Sequence, residues 1–354
     1  MKQIVKTILW SLLAFVLLSE ANAWAQAESL KQGALSVQKL DDGLYYMEYK
    51  GDDGFAGLLE NGGGRSAGQL VGYVMNFISK GFQQAQAPKP VPANYGCSAL
   101  TTRTPEGDVL MGRNFDFNSA TGIVVHTVPT QGYETYTTFN TNFFGFGEGW
   151  VPEGMQNQVM ALSALFFALD GINEKGLAIA DLMAGDNAET QQESGKTPLT
   201  TSSAICYLLK NAATVDEALE LLQRIDMHSD IGAAHHYAIS DASGRSVVVE
   251  YVDNQMEIVE AKAVANHYLC VSKLNVGLIE GDRRYEYLCN QYEAAKGIMD
   301  KEKLTQTMAA VSQPEQEGKF LGTAWTMVMD LTHPSVTYYS RRHFDHPFHF
   351  AFTK

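Results

Sequence analysis

Cysteine is scarce in this chain: Cys97, Cys206, Cys270 and Cys289 are the four in 354 residues. That excludes a disulfide-built scaffold, and with no C-x-x-C pair and no Cys/His spacing of the zinc type a structural metal site is not expected. Basic residues are outnumbered, 26 against 40 acidic, for a net charge of −14. Such a balance argues against nucleic acid or an anionic membrane surface as a partner. No N-x-S/T sequon occurs, which points to bacterial export rather than a glycosylated lysosomal setting. Internal repeats and low-complexity tracts are absent as well. Beyond the first twenty residues, no run is apolar and long enough to span a bilayer.

The beginning of the chain sets the expected compartment. Lys2 and Lys6 precede an apolar stretch from Thr7 to Leu18, and Ala21-Asn22-Ala23 or Ala25-Gln26-Ala27 offers small residues for cleavage. This is the pattern of a secretory signal peptide, taken as residues 1–25, and implies a periplasmic or secreted protein. Residues 26–96 read as a separate pro-segment. It has a strand at Gly43–Tyr49, an amphipathic helix over Arg65–Phe82, and an extended linker over Gln83–Tyr95 containing Pro88, Pro90 and Pro92. Residues 97–354 form the remaining domain, in which strand-like and helix-like blocks alternate. Helices are expected at Thr200–Asn211, Val215–Ile225, Arg283–Lys296 and Lys301–Val311, and a strand meander at His235–Ser240, Ser246–Tyr251, Met256–Ala261 and His267–Val271.

The stretch from Tyr95 to Phe117 reads as a hairpin. Thr104-Pro105-Glu106-Gly107-Asp108 is turn chemistry, flanked on both sides by β-prone residues. A turn centred near Pro105 and Glu106 places Cys97 opposite Asn114, with Arg113 and Asp116 nearby. Alternation sends Arg113 and Asp116 to opposite faces, so for both to reach the thiol the second strand is expected to end or bulge near Asn114.

Gly96-Cys97 together with Arg113-Asn114-Phe115-Asp116 resembles the N-terminal-nucleophile hydrolases of the choloylglycine hydrolase, penicillin V acylase and acid ceramidase group. Gly171-Ile172-Asn173-Glu174-Lys175-Gly176-Leu177, Asn266-His267-Tyr268 and Asp282-Arg283-Arg284 continue the resemblance through the rest of the chain. It implies an α+β fold in four layers, αββα, and activation by cleavage at Gly96–Cys97. The freed α-amine, with an ordinary pKa near ~7.7–8.0, then serves as base for the thiol beside it. Gly96 leaves the scissile carbonyl uncrowded. If Cys97 is a free nucleophile, at most one disulfide remains among the other three cysteines.

The resemblance also implies roles for further residues. Arg113 stabilises thiolate and developing charge, Asp116 orients the α-ammonium, and the Asn266 amide donates to the oxyanion. Of the two consecutive arginines, Arg283 is preferred over Arg284 for the site. Met183 stands where bile-salt hydrolases carry an oxyanion asparagine, and with Phe143 and Phe144 it is expected to line the substrate. No cofactor and no metal are expected.

The resulting expectation is an exported cysteine amidohydrolase cleaving a linear, non-peptide amide: a conjugated bile salt, penicillin V or an N-acyl amine, with an apolar acyl part. Assembly into a homo-oligomer is allowed. An acyltransferase using the same site, or an exported binding protein in which Cys97 stays internal, are the alternatives.

Overall fold

The structure is a computed structural model and describes residues 21–79, 95–118, 120–144, 149–230, 232–316 and 322–352. Most of the expected signal peptide and nearly all of the Pro-rich linker lie outside the described residues. Within the described residues, no helix is long and apolar enough to cross a membrane.

Among the described residues, seventeen strands fall into three sheets. The first part of the chain holds β1 (Gln38–Asp41), β2 (Leu44–Gly51), β3 (Tyr95–Arg103), β4 (Val109–Phe117), β5 (Gly122–Pro129) and β6 (Thr135–Asn140). Next come β7 (Asp170–Asn173), β8 (Ala178–Met183), β9 (Thr197–Thr200), β10 (Ile225–His228), β11 (His235–Ser240), β12 (Ser246–Val252) and β13 (Gln255–Glu260). The last are β14 (Ala263–Val264), β15 (Gly322–Asp330), β16 (Ser335–Ser340) and β17 (Pro347–Ala351). A nine-stranded sheet runs β1-β2-β5-β6-β7-β8-β11-β12-β13, a six-stranded sheet runs β14-β3-β4-β15-β16-β17, and β9 and β10 form a small parallel pair.

The helices are α1 (21–35), α2 (Phe55–Glu60), α3 (Ala67–Ser79), α4 (Met155–Ala161), α5 (Thr201–Asn211), α6 (Val215–Leu222), α7 (Arg284–Ala294) and α8 (Lys301–Ala310). Each of α5, α6 and α8 is opened by a side-chain cap, from Thr200, Thr214 and Asp300. The expected helix Val215–Ile225 stops at Leu222, because Ile225–His228 peels off as β10 and pairs with β9.

The two large sheets face each other across one core. Odd-numbered residues of β3 and β4, among them Cys97, Ala99, Met111 and Phe115, pack there with Ile172, Ala180 and Ala238 of the opposite sheet. The even-numbered Leu100 and Leu110 point the other way, into a second cluster with Leu288 of α7 and Leu304 and Met308 of α8. Helix α5 covers the far side of the nine-stranded sheet at β7 and β8, with α6 packed beside it. The layers are therefore helix, sheet, sheet, helix, with central strands such as β4 and β8 burying both faces and the edge strands β13 and β17 exposing one.

The region 26–79 is not packed as a unit apart. β2 pairs in parallel with β5 over Leu44–Gly51, so this region supplies two strands of the nine-stranded sheet. Leu30, Phe55, Leu70 and Phe77 belong to the same core cluster as Cys97. Phe166 is its anchor, with the Phe77 and Tyr73 rings edge-on to it at 5.3 and 5.8 Å. A buried ion pair, Lys210 Nζ to Asp53 Oδ2 at 2.8 Å, joins α5 to the loop before α2.

The Gly171–Leu177 segment is the β7–β8 turn. Asn173 holds it together: its side-chain oxygen accepts from the Lys175 and Leu177 N–H groups, and its amide donates to Leu209 and Ala212 carbonyls of α5 and its end. Every polar atom of that buried asparagine is used structurally.

Candidate active site

The hairpin β3–β4 forms in a register one residue from that expected. Arg103 pairs with Val109, Thr104 through Asp108 form the loop, and Cys97 stands opposite Phe115 rather than Asn114. The loop is one residue longer than the sequence reading gives, because Thr104 N–H bonds to Asp108 O while Gly107 N–H bonds to Thr104 O. Gly107 takes a left-handed φ of 100° to close it. Nor does β4 end or bulge against β3 at Asn114: the ladder is continuous from Tyr95↔Phe117 to Arg103↔Val109. The bulge lies on the other side of β4, in β15 between Thr323 and Trp325.

Without a bulge in the β3–β4 ladder, the site is two-sided. Arg113 shares the inter-sheet face with the Cys97 thiol. It is fully buried, its guanidinium 5.0 Å over the Phe115 ring. Its Nε lies 2.7 Å from Asp170 Oδ2, while Nη2 donates to the Asp181 carbonyl at 2.9 Å and Nη1 to the Asn114 carbonyl at 2.5 Å. Burial pushes the Cys97 thiol up, and the Arg113 guanidinium pulls it back toward ionisation. Burial also acts to lower the arginine, but the thiol, Asp170 and Asp181 more than offset it.

Asp116 occupies the opposite, helix-facing side, across the ladder from Gly96. Its carboxylate accepts from Thr323 Oγ1 at 2.5 Å and from Arg284 Nη1 at 3.1 Å. Burial raises its pKa to about 6, with Arg284 and Thr323 holding it back. Asn114, on the same side, spends its amide on the Met308 carbonyl of α8 and accepts from Thr326.

Arg284, not Arg283, enters the site. Arg283 caps α7 with its side chain 82% exposed, whereas Arg284 begins the helix buried. The first helical turn points these consecutive residues in different directions, about 100° apart. Arg284 Nη1 donates to the Cys97 carbonyl at 3.1 Å, Nη2 donates to Asn266 Oδ1 at 3.1 Å, and the Asp282 carboxylate clamps the guanidinium from behind at 2.6 Å. A side chain at position 96 would strike Arg284, since a Cβ there stands 2.8 Å from Nη1. Gly96 and Arg284 share a cavity of about 450 Å³ with Ile279, Val311 and Gln313.

Asn266 arrives through the short strand β14, whose pairs Ala263↔Leu100 and Val264↔Ala99 extend to bring Asn266 beside Cys97. Its Oδ1 accepts from the Cys97 backbone nitrogen at 2.5 Å, and its Nδ2 donates to the Met183 carbonyl at 2.9 Å. The partners dictate the amide orientation, one being a donor and the other an acceptor. One of the two Asn266 amide N–H groups is thus taken by the Met183 carbonyl.

The residues after Asn266 are not the expected strand His267–Val271. They form a loop whose N–H groups at Leu269 and Cys270 are taken by the buried Glu250 carboxylate, itself bonded to His236 Nδ1 at 3.0 Å. Backbone donors satisfied by a side chain have no need of a ladder partner. Gly185 and Gly277 cross in contact beside Asn266, where a Cβ on either would meet the other's backbone within 3 Å.

Of the residues expected to line a substrate, Met183 is buried beside the site and contributes its carbonyl. Phe143 packs edge-on against Phe117 at 4.9 Å, in the core aromatic row and not against Cys97. The Phe144 side chain lies outside the described residues. Asp170, Thr323 and Glu250 were not singled out from sequence, and Asp282 was named there only as part of the Asp282-Arg283-Arg284 motif. Asp170 adjoins the Gly171–Leu177 motif, but only its contact with Arg113 marks it as part of the site.

Residues 97–303 match the family of linear amide C–N hydrolases, choloylglycine hydrolase family. The chain is 34% identical over 104 residues to a penicillin V acylase of Pectobacterium atrosepticum, covering 26% of this chain and 27% of that one. It is 26% identical over 175 residues to a bile salt hydrolase/transferase of Clostridium perfringens, covering 46% and 50%. The matches thus span about a quarter and half of those relatives. Among solved structures, a conjugated bile acid hydrolase from Clostridium perfringens superposes with a TM-score of 0.50 at 17% identity, over 69% of this chain and 89% of that one. Likeness at that identity concerns the fold, which is the four-layer arrangement described above.

Proposed function

This chain belongs to the choloylglycine hydrolase family of linear amide C–N hydrolases, and from that premise we propose that it is an exported cysteine amidohydrolase whose nucleophile is Cys97, exposed as a new amino terminus by cleavage after Gly96. The observation that carries the reading is the convergence on one residue. Asn266 meets the Cys97 nitrogen, Arg284 its carbonyl oxygen, and Arg113 its thiol.

Cleavage converts the Cys97 amide into an α-amine while leaving Asn266 Oδ1 as its acceptor, so the amine is oriented by a contact that already exists. The thiol transfers its proton to that amine as sulfur attacks the substrate carbonyl, forming a tetrahedral intermediate. Collapse releases the amine product, which takes the proton, and leaves a thioester on Cys97. Water then resolves the thioester, with the α-amine again as base. Arg113 favours the thiolate from the inter-sheet side, at a thiol otherwise held up by burial. Asn266 donates to the oxyanion through the amide N–H that Met183 does not take.

The first twenty residues support export. Amino-terminal sequencing of the mature protein is expected to begin at Cys97, and that protein is expected to hydrolyse at least one of penicillin V, a conjugated bile salt or an N-acyl amine. Full activity in a chain with Gly96–Cys97 intact overturns the mechanism. One curated relative is named a hydrolase/transferase, so the same reactions are run with an added amine. Amide formed in place of acid assigns the acyl transfer reading.

A further inference from the structure

Arg113 crosses from the six-stranded to the nine-stranded sheet, and among the described residues its one short charge contact there is Asp170, at the first position of β7. Both side chains are 0% exposed, and Nε lies 2.7 Å from Oδ2. The Asp181 and Asn114 carbonyls that the guanidinium also meets are neutral acceptors and do not compensate its charge. Asp170 is itself held by the Trp325 indole N–H at 3.0 Å, and Trp325 stacks at 4.1 Å on Phe115, the cross-strand partner of Cys97. A closed chain therefore runs from Cys97 through Arg113, Asp170 and Trp325 to Phe115, and back to the strand pair that carries the thiol.

We propose that Asp170 is the positioning residue of the nucleophile, holding Arg113 against Cys97 so that the thiolate forms. This rests on the reading of Cys97 as nucleophile. A purely structural ion pair has a different electrostatic signature. If Arg113 stayed in place without Asp170, its charge would be less compensated and the thiol pKa would fall. If Asp170 is what keeps Arg113 in place, losing it lets the guanidinium withdraw, and the thiol pKa rises. The sign of the shift separates the two. The other charged groups near the pair are Asp116 and Arg284, which act on Cys97 from the opposite face, and Asp181, which acts on Arg113.

The test is titration of the Cys97 thiolate by ultraviolet absorbance in the full protein, each variant read against its own Cys97→Ala counterpart. Asp170→Asn keeps the shape and an acceptor for Trp325 but removes the charge. Its midpoint is expected to rise by about one unit, and the same substitution in an Arg113→Ala background is expected to change nothing further. A midpoint that is unchanged or lower, or one that rises equally without Arg113, overturns the proposal. Should Asp170→Asn not fold, Trp325→Phe removes only the indole donor. A smaller upward shift then supports the proposal, and no shift overturns it. The readout needs no substrate. A thiol that titrates as expected in a protein cleaving none of the amides leaves this proposal standing and defeats the proposed function, and the reverse pair of results defeats this proposal alone.

Discussion

Asp116 and the two arginines carry the residue-scale predictions. The Asp116 pKa, about 6, lies above its unfolded value of 3.8. The folded state therefore holds an extra proton between those values, so this group's contribution to stability is present in full below pH 3.8 and is lost as the pH rises through 6. Asp116→Asn should abolish that part of the pH dependence, measured by urea unfolding at several pH values. If the ionised carboxylate is needed to hold Arg284, activity should also show an acid limb near pH 6, which the variant lacks. Arg284→Ala leaves the buried Asp116 without its cation and is expected to cost about 3–5 kcal/mol together with most of the activity. Arg283→Ala, at an exposed cap, should change stability by about 0.5 kcal/mol or less and leave turnover alone. Thermal unfolding and a rate assay on the two variants check both outcomes.

At the scale of elements, the loop after β14 is a side-chain-held structure. Glu250 projects from β12 into a site where it accepts from two backbone N–H groups and His236, and these bonds hold its carboxyl below the usual range despite burial. A lowered folded pKa means stability present above the unfolded value of 4.5 and lost as the pH falls through the folded one. Glu250→Gln keeps one acceptor and loses the charge. Hydrogen exchange at Leu269 and Cys270 is expected to speed up, with Asn266 less firmly held against Cys97. Unchanged exchange at those two amides would remove Glu250 from this role.

For the whole molecule, the arrangement of residues 21–79 decides what cleavage does. β2 lies between β1 and β5 in the large sheet, and Asp53 compensates the buried Lys210. Separating this region from the rest would open a sheet edge at β5 and strip the core around Phe166. If the proposed cleavage at Gly96–Cys97 takes place, the two resulting chains are therefore expected to stay together without a covalent link and to co-elute in size exclusion until the fold is lost. Asp53→Ala leaves Lys210 buried and unpaired, at a cost of about 3–5 kcal/mol, and should lower the urea concentration at which the chains separate. Dissociation of wild-type chains in native buffer would show that the β2–β5 ladder and shared core do not suffice.

Local chemistry was enough to determine much of this protein. The turn at Thr104–Asp108, the existence of the helices at Thr200–Asn211 and from Val215, and the alternation along β4 are set by neighbours in the chain and were legible without coordinates. So were Gly96-Cys97 and Arg113–Asp116 as the carriers of the family resemblance. What tertiary structure decided were matters of one residue or of distant pairs. The hairpin register depended on a loop hydrogen bond that adds one residue. The choice of Arg284 over Arg283 depended on the direction of the first turn of α7. The role of Asp170 depended on an arginine 57 positions away on the facing sheet, and the place of residues 26–79 on a parallel strand partner that no local pattern announces. Periodicity reports which face a residue is on. Which side chain waits on the other side of that face is settled only when the sheets close on each other, because burying a charge there costs more than any local preference unless a partner meets it.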